Sequence, residues 1–193
     1  MKLTYFDVYG RADCIRMLLT HSKQEWTDER INMPDWPALK ASGKFEFGVM
    51  PVLEAGGKQY SQTKAILRFL GRTYGYYPSD VYDQWRVDSA LEGVADIFDA
   101  TAPAVMRNDE AALKNVIENT LPNFLKIIEN RLKENSSQNY LVGDTITVAD
   151  FHFGGYTFNY AYNDNFPKAA AFREVYERFP IVNSYVANLK KEV

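Results

Sequence analysis

Cysteine is nearly missing from this sequence of 193 residues: Cys14 is the only one. A lone thiol cannot close an internal disulfide, and such a chain suits a reducing compartment. Histidine is almost as scarce, with His21 and His152 alone, so a histidine–cysteine metal centre is poorly supplied and none is expected. No serine or cysteine motif makes either histidine a catalytic base. An excess of positive charge is also lacking. Lysine and arginine number 22 against 25 acidic residues, a net charge of −3. That balance gives no basic field for nucleic acid. No stretch approaches the roughly 18 apolar residues of a membrane span. Asp7, Arg11 and Asp13 interrupt any apolar leader, and the expected location is cytoplasmic, without a membrane partner. There the sequon Asn135-Ser136-Ser137 reads as accidental.

What is present is a chain that is 46% hydrophobic and 15% aromatic, enough for a real core. Lys2 to Phe6 reads as a strand, Gly10 as a turn, and Arg11 onward as a helix with Ile15, Leu18 and Leu19 on one face. Trp26 to Ile31 reads as a second strand, parallel to the first by the crossover rule. Pro34 to Lys40 is turn-rich. Gly48 to Glu54 and Lys58 to Tyr60 flank Gly56-Gly57 and read as a hairpin. Gln62 to Tyr74 is a helix, with Ala65, Ile66, Phe69 and Leu70 on one side. Gly75 to Asp80 is the best linker. Beyond it strand signals vanish, and Val87, Leu91, Val94 and Phe98 recur at helical spacing. The series Leu113, Ile117, Leu121, Phe124, Ile128 and Leu132 contains Pro122, which predicts a kink or break. Thr147-Val148-Ala149-Asp150 is a capping box, with Ile146 and Phe151 as its hydrophobic staple. Pro180 suits the first position of a last helix. The expectation is a small α/β domain over residues 1–75 and an all-helical domain over 80–193.

This order resembles the cytosolic glutathione S-transferases, and the sigma class most. The resemblance spans the chain. It rests on Lys2-Leu3-Thr4-Tyr5-Phe6, Gly10-Arg11, Ile15-Arg16, Asp35-Trp36-Pro37, Met50-Pro51-Val52-Leu53-Glu54, Gln62-Thr63 with Ala65-Ile66, Thr147 to Phe151, and Phe179-Pro180-Ile181-Val182 with Tyr185. The resemblance implies a thioredoxin-like N-terminal domain that binds glutathione as co-substrate. It also implies an all-α C-terminal domain that lines a site for small hydrophobic electrophiles, and a homodimer.

Glutathione's thiol is only a few per cent thiolate at neutral pH. A neutral phenol that donates to the sulfur favours the anion. Tyr5 matches the family's catalytic tyrosine, and Tyr9 lacks the motif. Arg11 matches a position tied to activity in the sigma class, where a permanent charge near sulfur helps. By the same resemblance Trp36 and Lys40 meet the glycyl end, and the backbone of Met50, before a cis Pro51, pairs with the cysteinyl residue. Gln62 and Thr63 receive the γ-glutamyl carboxylate at a helix N-terminus, and Asp96 reaches the partner subunit's γ-glutamyl ammonium, with Glu92 as an alternative. Cys14 lies on the first helix and reads as a packing residue. Tyr9, Met106, Phe153, Tyr156 and Tyr160 are candidates for lining the electrophile site. The sequence departs from the family at Asp13-Cys14 and in an insertion at Lys44 to Phe47, where Phe45 or Phe47 could key into a partner. It also lacks, near Thr101 to Ala104, the tryptophan associated with prostaglandin isomerisation. An isomerase or peroxidase, or a ligandin- or crystallin-like binding protein, stays open beside the transferase.

Overall fold

The structure, a computed structural model, describes residues 1–193. Its first half is built on a four-stranded mixed sheet of β1 (Lys2–Phe6), β2 (Thr27–Ile31), β3 (Val52–Ala55) and β4 (Lys58–Ser61). The order is β2-β1-β3-β4. β1 lies parallel to β2 and antiparallel to β3, and β3 and β4 form the hairpin. β1 is central, and Leu3, Thr4 and Tyr5 are all buried. Two helices complete the α/β unit, α1 (Asp13–His21) and α3 (Thr63–Tyr74), with short α2 (Trp36–Ala41) between them. α1 buries Cys14, Ile15, Leu18 and Leu19, and α3 buries Ile66, Leu67, Leu70 and Gly71. Both helices start later than the apolar pattern suggests: Arg11 lies in the turn before α1, and Gln62 is the residue that caps α3.

The second half is helical: α4 (Val81–Met106), α5 (Glu110–Asn115), α6 (Leu121–Glu134), α7 (Val148–Tyr160), α8 (Ala169–Glu177) and α9 (Pro180–Glu192). Asp80 starts α4 by accepting the N–H groups of Tyr82 and Asp83 at 2.9 and 3.0 Å. The break near Pro122 takes the form of a π-helical turn at Val116–Thr120, after which Pro122 sits in the first turn of α6. The chain stays helical on both sides of this turn, and the widened turn accommodates the missing N–H and the ring of the proline.

α7 is the axle of this half. Twelve of its residues are buried. Asp150, at its third position, accepts the N–H of Leu141, the N–H and hydroxyl of Thr147, and the hydroxyl of Tyr185, at 2.7–2.8 Å. Ile146 and Phe151, the expected staple, are both buried. α7 also packs on α1 across the two halves. Gly155 permits this approach, since a Cβ there would sit 3.0 Å from the backbone nitrogen of Cys14. A single apolar cluster therefore runs from Leu3 and Ile15 through Leu91 and Phe98 to Val186. No helix is long and apolar enough to cross a membrane.

Candidate active site

β1 ends at the seam between the halves and delivers Tyr5 there, 8% exposed. The following turn folds back over the phenol. Gly10 passes so close that a Cβ on it would meet the Tyr5 hydroxyl at 2.8 Å. Two side chains pin this turn. The Gly10 N–H donates to Asp13 at 2.6 Å, and Asn159 of α7 donates to the Gly10 carbonyl at 3.1 Å. The backbone N–H of Arg11 then donates to the Tyr5 hydroxyl oxygen at 3.2 Å. With its oxygen already accepting, the phenol has its own proton to give. Burial pushes the Tyr5 hydroxyl above its ordinary range, against the pull of the Arg11 N–H and the charges of Arg11 and Arg16. The group is a neutral donor across the physiological range.

The Arg11 side chain runs from this turn to α4. It pairs with Asp99, and its guanidinium lies 5.8 Å from the centre of the Phe98 ring. Two cavities meet at Arg11, which lines both.

The smaller cavity, about 200 Å³, is polar. Met50 and Pro51 form one wall, just before β3, and the bond between them is cis. Gln62, Thr63 and Lys64 open α3 at another wall, where free N–H groups and the positive end of the helix dipole favour an anion. Gln62 has φ +73°, a left-handed conformation that costs a non-glycine residue and recurs at functional sites. Ala95 and Asp99 of α4 and His152 of α7 close the cavity. Burial first, then the charges of Lys64 and Arg11, push His152 down to about 3, so it is neutral. Its Nδ1 has no hydrogen-bond partner.

The larger cavity, about 480 Å³, is mainly apolar. Phe6, Val8, Tyr9 and Met33 face it from the first half, and Phe98, Pro103, Met106 and Phe166 from the second. Tyr160 also lines it, and burial pushes that phenol up to about 12. Arg11 is its only charged lining residue.

Tyr5, Arg11, Met50, Pro51, Gln62 and Thr63 thus lie around adjoining cavities. Trp36, Lys40 and Asp96 line neither. Trp36 packs edge-on to Phe6 and against Phe45. The stem of Lys40 runs beneath Gly48. Asp96 is exposed on α4, while Glu92 is paired with Lys64 and Arg68. Among the candidate lining residues, Tyr9, Met106 and Tyr160 face the apolar cavity. Phe153 and Tyr156 do not: both are fully buried in the helical core, because that face of α7 points at α4 and α9. In the insertion Phe45 is buried, whereas Phe47 is 57% exposed. Lys64, Asp99, His152 and Asn159 carry no motif and escape sequence reasoning. The helical spacing from Phe98 could have placed Asp99 near the site, but nothing in the sequence pairs it with Arg11. No group of three or more histidine, cysteine, aspartate or glutamate side chains is placed to hold a metal ion.

Comparison with known proteins gives a consistent result. Residues 1–72 match the family described as glutathione S-transferase, N-terminal domain, and residues 95–191 match glutathione S-transferase, C-terminal domain. The chain is 34% identical to glutathione S-transferase P of Bos taurus over 151 residues, 78% of this chain and 71% of that one. It is 28% identical to hematopoietic prostaglandin D synthase of Gallus gallus over 199 residues, covering 98% and 96%. It superposes on the Pi-class glutathione S-transferase of Onchocerca volvulus with a TM-score of 0.86 at 26% identity, covering 99% of this chain and 88% of that one.

Proposed function

The chain belongs to the glutathione S-transferase family, with that family's fold and co-substrate, and from this premise we propose that it conjugates glutathione to small hydrophobic electrophiles through a thiolate stabilised by the Tyr5 hydroxyl. One observation carries the reading. The neutral Tyr5 donor lines the apolar cavity and is held by the N–H of Arg11, the residue that borders both that cavity and the polar one.

The tripeptide has two carboxylates and one ammonium. The polar cavity offers cations at Arg11 and Lys64, an anion at Asp99, and the open N–H end of α3 at Gln62 and Thr63. The γ-glutamyl carboxylate is assigned to that helix end, the cysteinyl backbone to Met50 beside Pro51, and the glycyl end to Trp36 and Lys40. The sulfur then lies toward Tyr5. Its proton passes to solvent, the phenol O–H hydrogen-bonds the thiolate, and Arg11 adds positive field. Sulfur attacks the electrophilic carbon of a substrate held in the apolar cavity, and either the leaving group departs with its electron pair or, at an activated double bond, the C=C electron pair moves onto the conjugated carbonyl, which then takes a proton from solvent.

The division into a glutathione-binding domain at 1–75 and an electrophile-lining helical domain at 80–193 belongs to the same proposal, as do a cytoplasmic location and a sigma-like placement. A homodimer is also proposed: Phe47 is an exposed apolar residue on the α/β unit, and Asp96 is open to a partner. The cavity wall at Ala102 and Pro103 supplies no tryptophan, which favours conjugation over prostaglandin isomerisation. Turnover of glutathione with an aryl halide, an unsaturated carbonyl and an organic peroxide tests the reading. Conjugation of the first two is expected, with Tyr5→Phe lowering kcat by about 10²-fold or more, the scale of a lost stabilising donor. Unchanged turnover in that variant overturns the tyrosine mechanism.

A further inference from the structure

The pair between Arg11 and Asp99 joins the turn that covers Tyr5 to the helical half of the molecule. Stability does not account for it. The Arg11 side chain is 37% exposed and that of Asp99 67%, and ion pairs so open to water add little to folding. Its location is more telling. Arg11 uses its main-chain N–H to fix the Tyr5 hydroxyl and its side chain to reach α4. Asp99 lines the polar cavity only, whereas Arg11 lines both.

We infer that Asp99 is a positioning residue, which holds the Arg11 guanidinium at the junction of the two cavities so that its charge acts on the sulfur site. This rests on the proposed thiolate chemistry. Arginine has a long, many-jointed side chain, and an unanchored one disperses among rotamers and takes its charge into solvent. Here the anchor has no substitute. Of the charged and titratable groups around Arg11, Asp13 on α1 is engaged by the Gly10 N–H and by Arg16. Lys64 on α3 is paired with Glu92. His152 and Tyr160 on α7 and Tyr5 on β1 are neutral. Asp99 is the only carboxylate paired with Arg11. Ala95, one turn earlier on the same wall, offers nothing to hold it.

The alternatives differ in sign, which makes the assignment testable. If Asp99 merely damps Arg11, its removal strengthens the positive field and lowers the thiol pKa of bound glutathione. If it only braces the two halves, its removal shifts Tm and leaves that pKa alone. Positioning requires the pKa to rise. The experiment is an ultraviolet thiolate titration of glutathione bound to the full chain, with steady-state kinetics, for wild type, Asp99→Asn and Asp99→Glu. The expected results for Asp99→Asn are a rise of about half to one unit, part of the effect of an opposite charge at close range. At mildly acidic pH and saturating glutathione kcat should fall by about three- to tenfold, with the deficit closing at alkaline pH. Asp99→Glu restores most of the loss, and adding Asp99→Asn to Arg11→Ala changes nothing further. An unchanged or lowered pKa in an Asp99→Asn protein that still binds glutathione overturns the inference. A wild-type protein that binds glutathione without lowering its thiol pKa removes the underlying functional reading, and this inference falls with it.

Discussion

The Tyr5 hydroxyl illustrates how little a single residue decides alone. Its acidity is set by burial and its geometry by a glycine, Gly10, whose missing side chain lets the turn close over the ring. His152 makes the same point for stability. It sits in the wall of the polar cavity, stacked on Phe98 with ring centres 5.9 Å apart. Burial pushes its pKa down to about 3, well below the usual 6.5 or so of an unfolded chain. Between those values the unfolded chain binds a proton that the folded chain refuses, so stability rises with pH and is lost on acidification. From pH 7 to 5 this residue alone should cost about 2 kcal/mol. Replacing it with phenylalanine removes the titration. Urea unfolding at the two pH values should therefore show the variant gaining about 2 kcal/mol on wild type as pH falls. A constant gap between the proteins would mean that His152 is not held neutral.

Among the elements, α7 has the most to lose. Asp150 accepts four hydrogen bonds at its start, and the donors on Leu141, Thr147 and Tyr185 have been brought out of water to meet it. Asp150→Ala leaves them unpartnered and uncaps the helix, which should cost about 3–5 kcal/mol. Denaturant unfolding measures this directly, and a loss below about 1 kcal/mol would show the box to be dispensable. This helix start was legible in the sequence because Thr147 and Asp150 have a fixed spacing with a local cause. So were β1, the hairpin around Gly56-Gly57 and α3, each written in short-range apolar periodicity or turn residues. The form of the break before Pro122 was not legible. A proline announces that the ladder must yield, but whether it yields by a kink or a π turn depends on packing against other helices. The orientation of α7 was hidden for a related reason. A helix buried on nearly all sides has no apolar stripe to show which aromatics face a cavity, so Phe153 and Tyr156 look no different from Tyr160.

At the scale of the whole molecule, the site exists only because two differently built halves meet. The sheet half contributes the donor, the cavity wall at Met50-Pro51 and the helix end at Gln62-Thr63, and these carried local motifs. The helical half contributes Asp99, His152 and Asn159, each separated from Tyr5 by about half the chain or more and marked by no motif, since only the tertiary fold brings them together. The central claim is that this meeting point turns the thiol of bound glutathione into a thiolate by way of Tyr5. The most direct test is a titration of that thiol on the wild-type protein and on Tyr5→Phe, read by its ultraviolet absorbance. The account predicts a wild-type pKa at least one unit or so below the roughly 8.5 of a free thiol, returning toward that value in Tyr5→Phe while glutathione still binds. A bound thiol that titrates like the free one in wild type, or identically in both proteins, would contradict it.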